Sequence, residues 1–489
     1  MSPPAEFEER LLSSVPEGWT AVPDVPPVVN SSLNLVLYVA SMTLPAPDDD
    51  PEAEPEVRTC PVSNDRLGPE YRSLGGFVCG ADPGLWACVA SNHERRQWEW
   101  QSQRMSEEIR WLLVNGERKV DLGKGQPYVS RDGLRVAYTQ TLWDDATGIF
   151  RARVVVGADE GPFFQAVEPA GFGADGSFAY RAFDGVRWGV VRGGKGKGPY
   201  QNVPELRWSP DGLRLAYVAV TEEGARVIVD GEKGALHEGA RELRFSPDGL
   251  RVAYVASAAD GDRVVVDGVA GALFPRVGSL GFSADGRAVV GVIATGGGWT
   301  VTVNDQAGPV YDEVGPPVCG RGGERTSYAA KKGGRSLAVV GGQESEPCDL
   351  VYRLLVGERG GWAHALLQEK TCVLTHNGRE VARGTSRPNQ MAMSDDGASL
   401  AWSESLDGRM RLVVDGKPGE WFDRVESPVY APDGRTLLYV GRRNGEAWLV
   451  AGAALHGPME PLTAPVFDGR RAAVVARIGR EYRRKIVPF

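Results

Sequence analysis

Little in this chain is suited to bond-making chemistry. Its 489 residues include five histidines and six cysteines. Cys60, Cys79, Cys88, Cys319, Cys348 and Cys372 form no CxxC pair, and the histidines do not cluster with them. Zinc-ligand spacing is therefore absent. The cysteines read as small buried hydrophobes in strands, with a Cys79–Cys88 disulfide as the alternative, which a reducing compartment disfavours. No GxSxG elbow, HExxH helix or P-loop occurs. The run GGKGKG at 193–198 lacks the Ser/Thr and the spacing of a phosphate loop and reads as a flexible hairpin turn. Asp144-Asp145 and Asp48 to Asp50 lack the alternating ligands of a calcium loop. No catalytic residue, metal ligand or cofactor is assigned.

Long apolar runs are also missing. The longest, LNLVLYVASMTL at 33–44, is too short to span a bilayer. The first residues, MSPPAEFEERLL, are acidic and have no apolar core, so no signal peptide is expected and the location is read as cytoplasmic. A net charge of −9 argues against a general nucleic-acid binder.

What the chain has is a returning phrase. Residues 209–218 read SPDGLRLAYV and residues 246–255 read SPDGLRVAYV. Looser copies start at Ser130, Gly173, Ser283, Ser394 and Ala431. Their Asp-Gly pairs are Asp132-Gly133, Asp175-Gly176, Asp211-Gly212, Asp248-Gly249, Asp285-Gly286, Asp396-Gly397 and Asp433-Gly434. Asp211, Asp248 and Asp285 stand 37 residues apart, as do Asp396 and Asp433. The gap from Asp285 to Asp396 is 111 residues, three such periods. Two degenerate copies therefore belong near 322 and 359: one turns at Gly322-Gly323, the other at Gly360 or Gly361. Copies at 31–41, 81–91 and 467–478 bring the count to twelve.

Within a copy the hydrophobic period is 2, the mark of a strand. Ser-Pro-Asp-Gly is a turn: Pro presets φ, Asp bonds back to the backbone and Gly accepts positive φ. A second phrase follows in RVIVDGEKG (226–234), RVVVDGVAG (263–271), RLVVDGKPG (411–419) and WLLVNGERK (111–119). Asp-Gly or Asn-Gly between β-branched runs is a hairpin signal. One copy thus predicts a four-stranded antiparallel sheet, which cannot bury both faces alone and stacks radially as a propeller blade.

Phe245 to Gly249 with Arg251 to Tyr254, and Trp208 to Gly212 with its strand, resemble the PD40 or TolB-like repeat, a relative of WD40. The resemblance covers almost the whole chain and implies an all-β propeller. TolB-like rings typically have six blades, so twelve copies imply two rings, 1–306 and 307–489. Trp19 to Val22 and Gly308 to Val314 are then the spare strands of the two rings; one large ring closed by the termini is the alternative. The family places TolB-type proteins in the periplasm, from which the missing signal peptide departs. The resemblance fixes no activity, since one fold hosts many functions.

Function is expected where the repeat breaks. PDDDPEAEPE at 47–56, within the insertion 42–59, carries six acids and reads as a solvated loop. The insertion Asn92 to Arg110 is not strand-like; it joins Arg95, Arg96 and Arg104 to Trp98, Trp100 and Met105. Trp and Arg are enriched at interface hot spots, so these six are the candidate partner-binding residues; the alternative is a Trp pair folded onto the blade beneath. FEERLLSSV (7–15) reads as a short capping helix or docking segment. Arg470 to Lys485 holds seven basic residues, read as solvent-facing strand or as a patch for an acidic partner. The leading reading is a non-catalytic scaffold with a protein partner. A propeller holding a small molecule, glycan or peptide in its channel is the alternative, and an enzyme using channel carboxylates ranks last.

Overall fold

The computed structural model describes residues 9–22, 25–30, 32–43, 57–80, 85–100, 103–323, 325–468 and 471–489. Among them lie twelve successive antiparallel meanders, each with its strands in chain order from first to fourth, apart from the last sheet. The fold is all-β, a β-propeller of twelve blades. The blades span 20–67, 73–121, 127–160, 166–200, 206–237, 239–274, 276–307, 313–344, 350–384, 391–418, 424–456 and 460–488.

Blade 6 shows why the phrase builds this unit. Its strands are Gly239–Phe245, Val252–Ala258, Gly261–Val266 and Val269–Phe274. The SPDG turn joins the first two and Asp267-Gly268 joins the last two, both with positive φ at 50° and 82°. Val252 through Ala256 are buried without interruption, because both faces of the blade are covered. Val252, Tyr254 and Ala256 pack with Ala216 and Val218 of blade 5. Ala253 and Val255 pack with Val277, Val289 and Ile293 of blade 7. A period of 2 thus serves two cores, while the fourth strand is largely exposed.

Contacts gather the chain into two compact units: residues 1–208, 461–466 and 473–486 form one, and 209–460, 467–472 and 487–489 the other. The boundary falls inside blade 5, after its strand Leu206–Trp208. Within the second unit, Val290, Val292 and Val301 of blade 7 pack with Tyr328 and Leu337 of blade 8 and with Tyr311 of the connection between them. A division of the chain into rings at that point rests on the repeat count alone.

Blade 12 lies in the first unit for most of its length, and a segment from the other end of the chain completes it. Arg10–Ser14 pairs antiparallel with Glu481–Pro488, from Arg10 opposite Arg484 to Ser14 opposite Glu481. The expected helix at 7–15 is therefore an edge strand across its described part. Trp19 to Val22 is not the closing strand: Thr20–Ala21 pairs with Val36–Thr43 inside blade 1. Gly308 to Val314 is not spare either, since Glu313–Val314 opens blade 8 against Thr326–Lys332. The GGKGKG run turns only at Gly193-Gly194; Lys195–Tyr200 continues as the fourth strand of blade 4.

Candidate functional site

The SPDG turns are built around their serine. Ser209, Ser246, Ser283 and Ser394 are buried. Ser246 Oγ donates to Asp248 Oδ1 at 2.5 Å and accepts from the amide of Arg251 at 2.9 Å. The same pair of bonds recurs at Ser209 with Asp211 and Arg214, at Ser283 with Asp285 and Ala288, and at Ser394 with Asp396 and Ser399. Asp132 is bonded alike, to Ser130 Oγ and to the Leu134 amide. Asp175 and Asp433 lack that serine and take Ser177 and Thr436 instead. These donors hold the carboxylates of Asp132, Asp248 and Asp396 below the usual range. Each of the seven repeat carboxylates is thus engaged with its own turn.

The second phrase locks the second strand. Asp230, Asp267 and Asp415 adopt positive φ, and each accepts from the first amide of the strand 15 residues back, at 2.8–2.9 Å. Asn304 and Asn377 do the same for Val289 and Trp362. The arginine closing SPDGLR then ties blade to blade. Arg251 Nε donates to Asp267 at 2.9 Å, and its Nη1 donates to the carbonyl of Arg287 in blade 7 at 2.8 Å. Arg214 makes the matching bonds to Asp230 and to the Leu250 carbonyl of blade 6. Arg135 reaches the Gly176 carbonyl of blade 4.

Seven lining residues, Asp248, Arg251, Asp285, Gly286, Arg287, Arg321 and Gly322, enclose a pocket of about 660 Å³ where the turns of blades 6, 7 and 8 meet. A second, of about 590 Å³, lies between blades 10 and 11 against Leu412, Phe422, Leu437, Tyr439 and Val450. A third, about 390 Å³, opens at the base of the blade 2 insertion between Ser73–Gly76 and Glu108–Arg110.

That insertion is strand after all. Arg95–Trp100 and Gln103–Glu108 form a separate two-stranded ribbon between the second and third strands of blade 2. Arg96 stands opposite Glu107, Trp98 opposite Met105, and Arg104 opposite Glu99. Arg95 is exposed; the side chains of Arg96, Trp98, Trp100, Arg104 and Met105 lie outside the described residues. Ser91 Oγ donates to Glu108 at the base of the ribbon, and His93 Nδ1 stands 3.1 Å from the same oxygen. The whole acidic segment 47–56 also lies outside the described residues.

The basic C-terminal stretch is internally engaged. Arg480 donates to the carbonyls of Val15, Pro16 and Trp19; Arg483 pairs with Glu481 and Lys485 with Glu9; Arg484 is buried. Arg470 lies outside the described residues. All six cysteines are free, and Cys60 and Cys88 are buried, which pushes their thiols upward. Among the described residues no three His, Cys, Asp or Glu side chains converge as a metal site. No helix among them is long and apolar enough to cross a membrane.

No protein-family model matches the chain, and no curated protein matches it. Solved structures with some likeness include the β-propeller domain of Cps50 (Swd1) from Myceliophteria thermophila, at 12% identity and a TM-score of 0.25 over 52% of this chain and 99% of that one. TolB from Acinetobacter baumannii is 14% identical, with a TM-score of 0.23 over 60% and 77%. The dihydro-heme d1 dehydrogenase NirN, solved in complex with DHE, is 11% identical, with a TM-score of 0.30 over 56% and 70%. Likeness this distant adds nothing to the assignment, which rests on the blades themselves.

Proposed function

We propose that the protein is a non-catalytic, cytoplasmic interaction module that holds a protein partner through exposed turns and through the insertion that departs from the repeat. One observation carries this reading. In blades 5 and 6 the Ser, Asp and Arg of the phrase are bonded within the framework, while the residue after Asp-Gly is presented to solvent: Leu213 is 62% exposed and Leu250 69%. Loops and turns held by a rigid scaffold commonly carry binding. The ribbon at 95–108 departs from the repeat, and its composition, two Trp and three Arg with a Met, fits a contact surface.

A photo-crosslinking residue at Gln97 and, separately, at Leu250 tests this in the organism of origin. The expected result is a defined protein adduct from at least one position. Replacing Asn92 to Arg110 by Asn-Gly, which rejoins strands whose Ala90 and Trp111 already pair, should leave the fold intact and end co-purification of the protein captured from Gln97. No adduct from either position would sink the reading.

The pocket of about 590 Å³ between blades 10 and 11 favours a second reading, a bound small molecule, since its volume and apolar lining suit one. A ligand there raises the melting temperature. Leu455→Asp, at an exposed lining residue, would remove that shift.

A further inference from the structure

We propose that the cleft between blades 10 and 11 binds a small amphipathic anion, its apolar body against Leu412, Phe422 and Val450 and its charged head between Lys417 and Arg435. This rests on the small-molecule reading of that pocket and names the ligand's chemistry.

The repeat register exposes an unused donor. Tyr254, on the second strand of blade 6, meets the fourth strand of blade 5, Glu232–His237, and its hydroxyl stands 3.1 Å from His237 Nε2. Tyr439 holds the same place on the second strand of blade 11, Leu437–Arg443. In blade 10 the place of His237 is taken by Phe422, seven residues beyond Asp415 as His237 is beyond Asp230. The ring packing is kept, edge-on at 6.1 Å, but the nitrogen is gone. The fourth strand of blade 10 is also cut to Lys417–Pro418, where Pro418 has no N–H to extend the ladder.

Tyr439 lines the pocket and is only 6% exposed, yet its hydroxyl has no hydrogen-bond partner among the described residues. A Cβ placed on Gly419 would lie 3.7 Å from that oxygen, so the donor stands two residues on from Lys417. Burial, with a smaller push from Glu420, raises its pKa to about 12, and the phenol keeps its proton. A buried donor without an acceptor is costly unless a ligand supplies one.

Charge decides the head group. Two cations, Lys417 and Arg435, and one carboxylate, Glu420, line the pocket. Glu420 is salt-bridged at 2.9 Å to Arg443, which does not line it. Lys417 and Arg435 are exposed, and neither forms an ion pair among the described residues. Asp433, in the turn that carries Arg435, accepts from the Arg435 and Thr436 amides and the Thr436 hydroxyl, each at 2.8 Å, and does not line the pocket. The corresponding positions hold Glu232 and Leu250 across blades 5 and 6, and Val269 and Arg287 across blades 6 and 7. Blades 10 and 11 thus set two cations where those interfaces set at most one. Leu412, Phe422 and Val450 are buried, so the pocket is apolar within and cationic at its rim. That polarity matches an apolar body with one anionic head.

Isothermal titration of the full chain with octanoate, octyl phosphate, octanol and octylamine sets different heads on one body. At least one of the two anions should bind about tenfold tighter than octanol and octylamine, and the tighter anion names the head. Lys417→Met combined with Arg435→Met should bring that anion to the level of octanol, and Tyr439→Phe should weaken it about fivefold. Both cations are exposed and the Phe variant keeps its ring, so the variants retain the wild-type melt and binding, not folding, is read. Absence of binding by either anion, equal binding of octanol, tighter binding of octylamine, or undiminished anion binding by the double variant overturns the proposal. A neutral compound that raises the melt in wild type but not in Leu455→Asp would, in that event, leave the small-molecule reading standing and remove only its anionic head.

Discussion

His364 shows at residue scale what burial does to a titratable group. It sits on the second strand of blade 9, buried, its ring 5.2 Å from that of Trp362. Desolvation pushes its pKa from 6.5 down to about 4. The fold holds the neutral ring, while the unfolded chain takes up a proton as pH falls through 6.5. This contribution is complete above that value and is lost between about pH 6.5 and 4, reaching about 3 kcal/mol. As pH drops from 7 to 4.5 the urea midpoint of the wild type should therefore fall further than that of His364→Leu; parallel lines would disprove it. Nothing in TrpAlaHisAlaLeuLeu announces this burial, because a lone histidine in a strand reads alike on either face. The serine of the phrase was more legible. It recurs in five of the seven clear copies, yet turn chemistry assigns roles to Pro, Asp and Gly first. That the hydroxyl bonds both the aspartate and an amide five residues on depends on the turn's geometry.

At the scale of the element, one arginine joins two blades. Arg251→Met should cost about 1–3 kcal/mol by urea denaturation, since it leaves Asp267 and the Arg287 carbonyl without that donor. Arg287→Met should stay within about 0.5 kcal/mol, as an exposed side chain does. Equal losses would refute the clamp. Blade 9 settles the open choice between its two glycines. Gly360 has φ 90° and its amide bonds Gly357, as Gly434 bonds Ala431, so it is the turn residue. Gly361 serves a different need: a Cβ there would lie 2.3 Å from the Cα of Gly397 in blade 10. The 92–110 insertion was misread because Arg, Gln, Glu and Trp have no clear period; the cross-strand register, not propensity, makes it a ribbon.

At the scale of the whole chain, its first strand and its last are one edge. Leu12 and Val15 are buried with Tyr38 and Tyr482, whose rings lie 4.4 Å apart, and Tyr38 donates to the Ser14 carbonyl. Leu12→Ala should cost about 2–4 kcal/mol. Removing residues 1–14 should leave Glu481–Pro488 as an open edge and yield a lower melt or self-association by size exclusion. A truncated chain that melts and elutes like the parent would show the strand to be dispensable.

The repeat, its period of 37 and the strand–turn chemistry of each blade were determined by the sequence alone, because alternation and Asp-Gly turns are local properties of the backbone. Ala253 facing one neighbour and Tyr254 the other follows from the same alternation. Which segment completes blade 12 was decided only by the tertiary structure. Arg10 to Ser14 and Trp19 to Val22 are both short apolar stretches, and pairing across more than 460 residues depends on where the rest of the chain brings its ends. The structure also decided that the basic C-terminal stretch binds its own carbonyls and carboxylates, and that the SPDG aspartates serve their turns. What departs from the phrase is the ribbon of blade 2 and, in blade 7, Arg287 where blades 5 and 6 carry leucine.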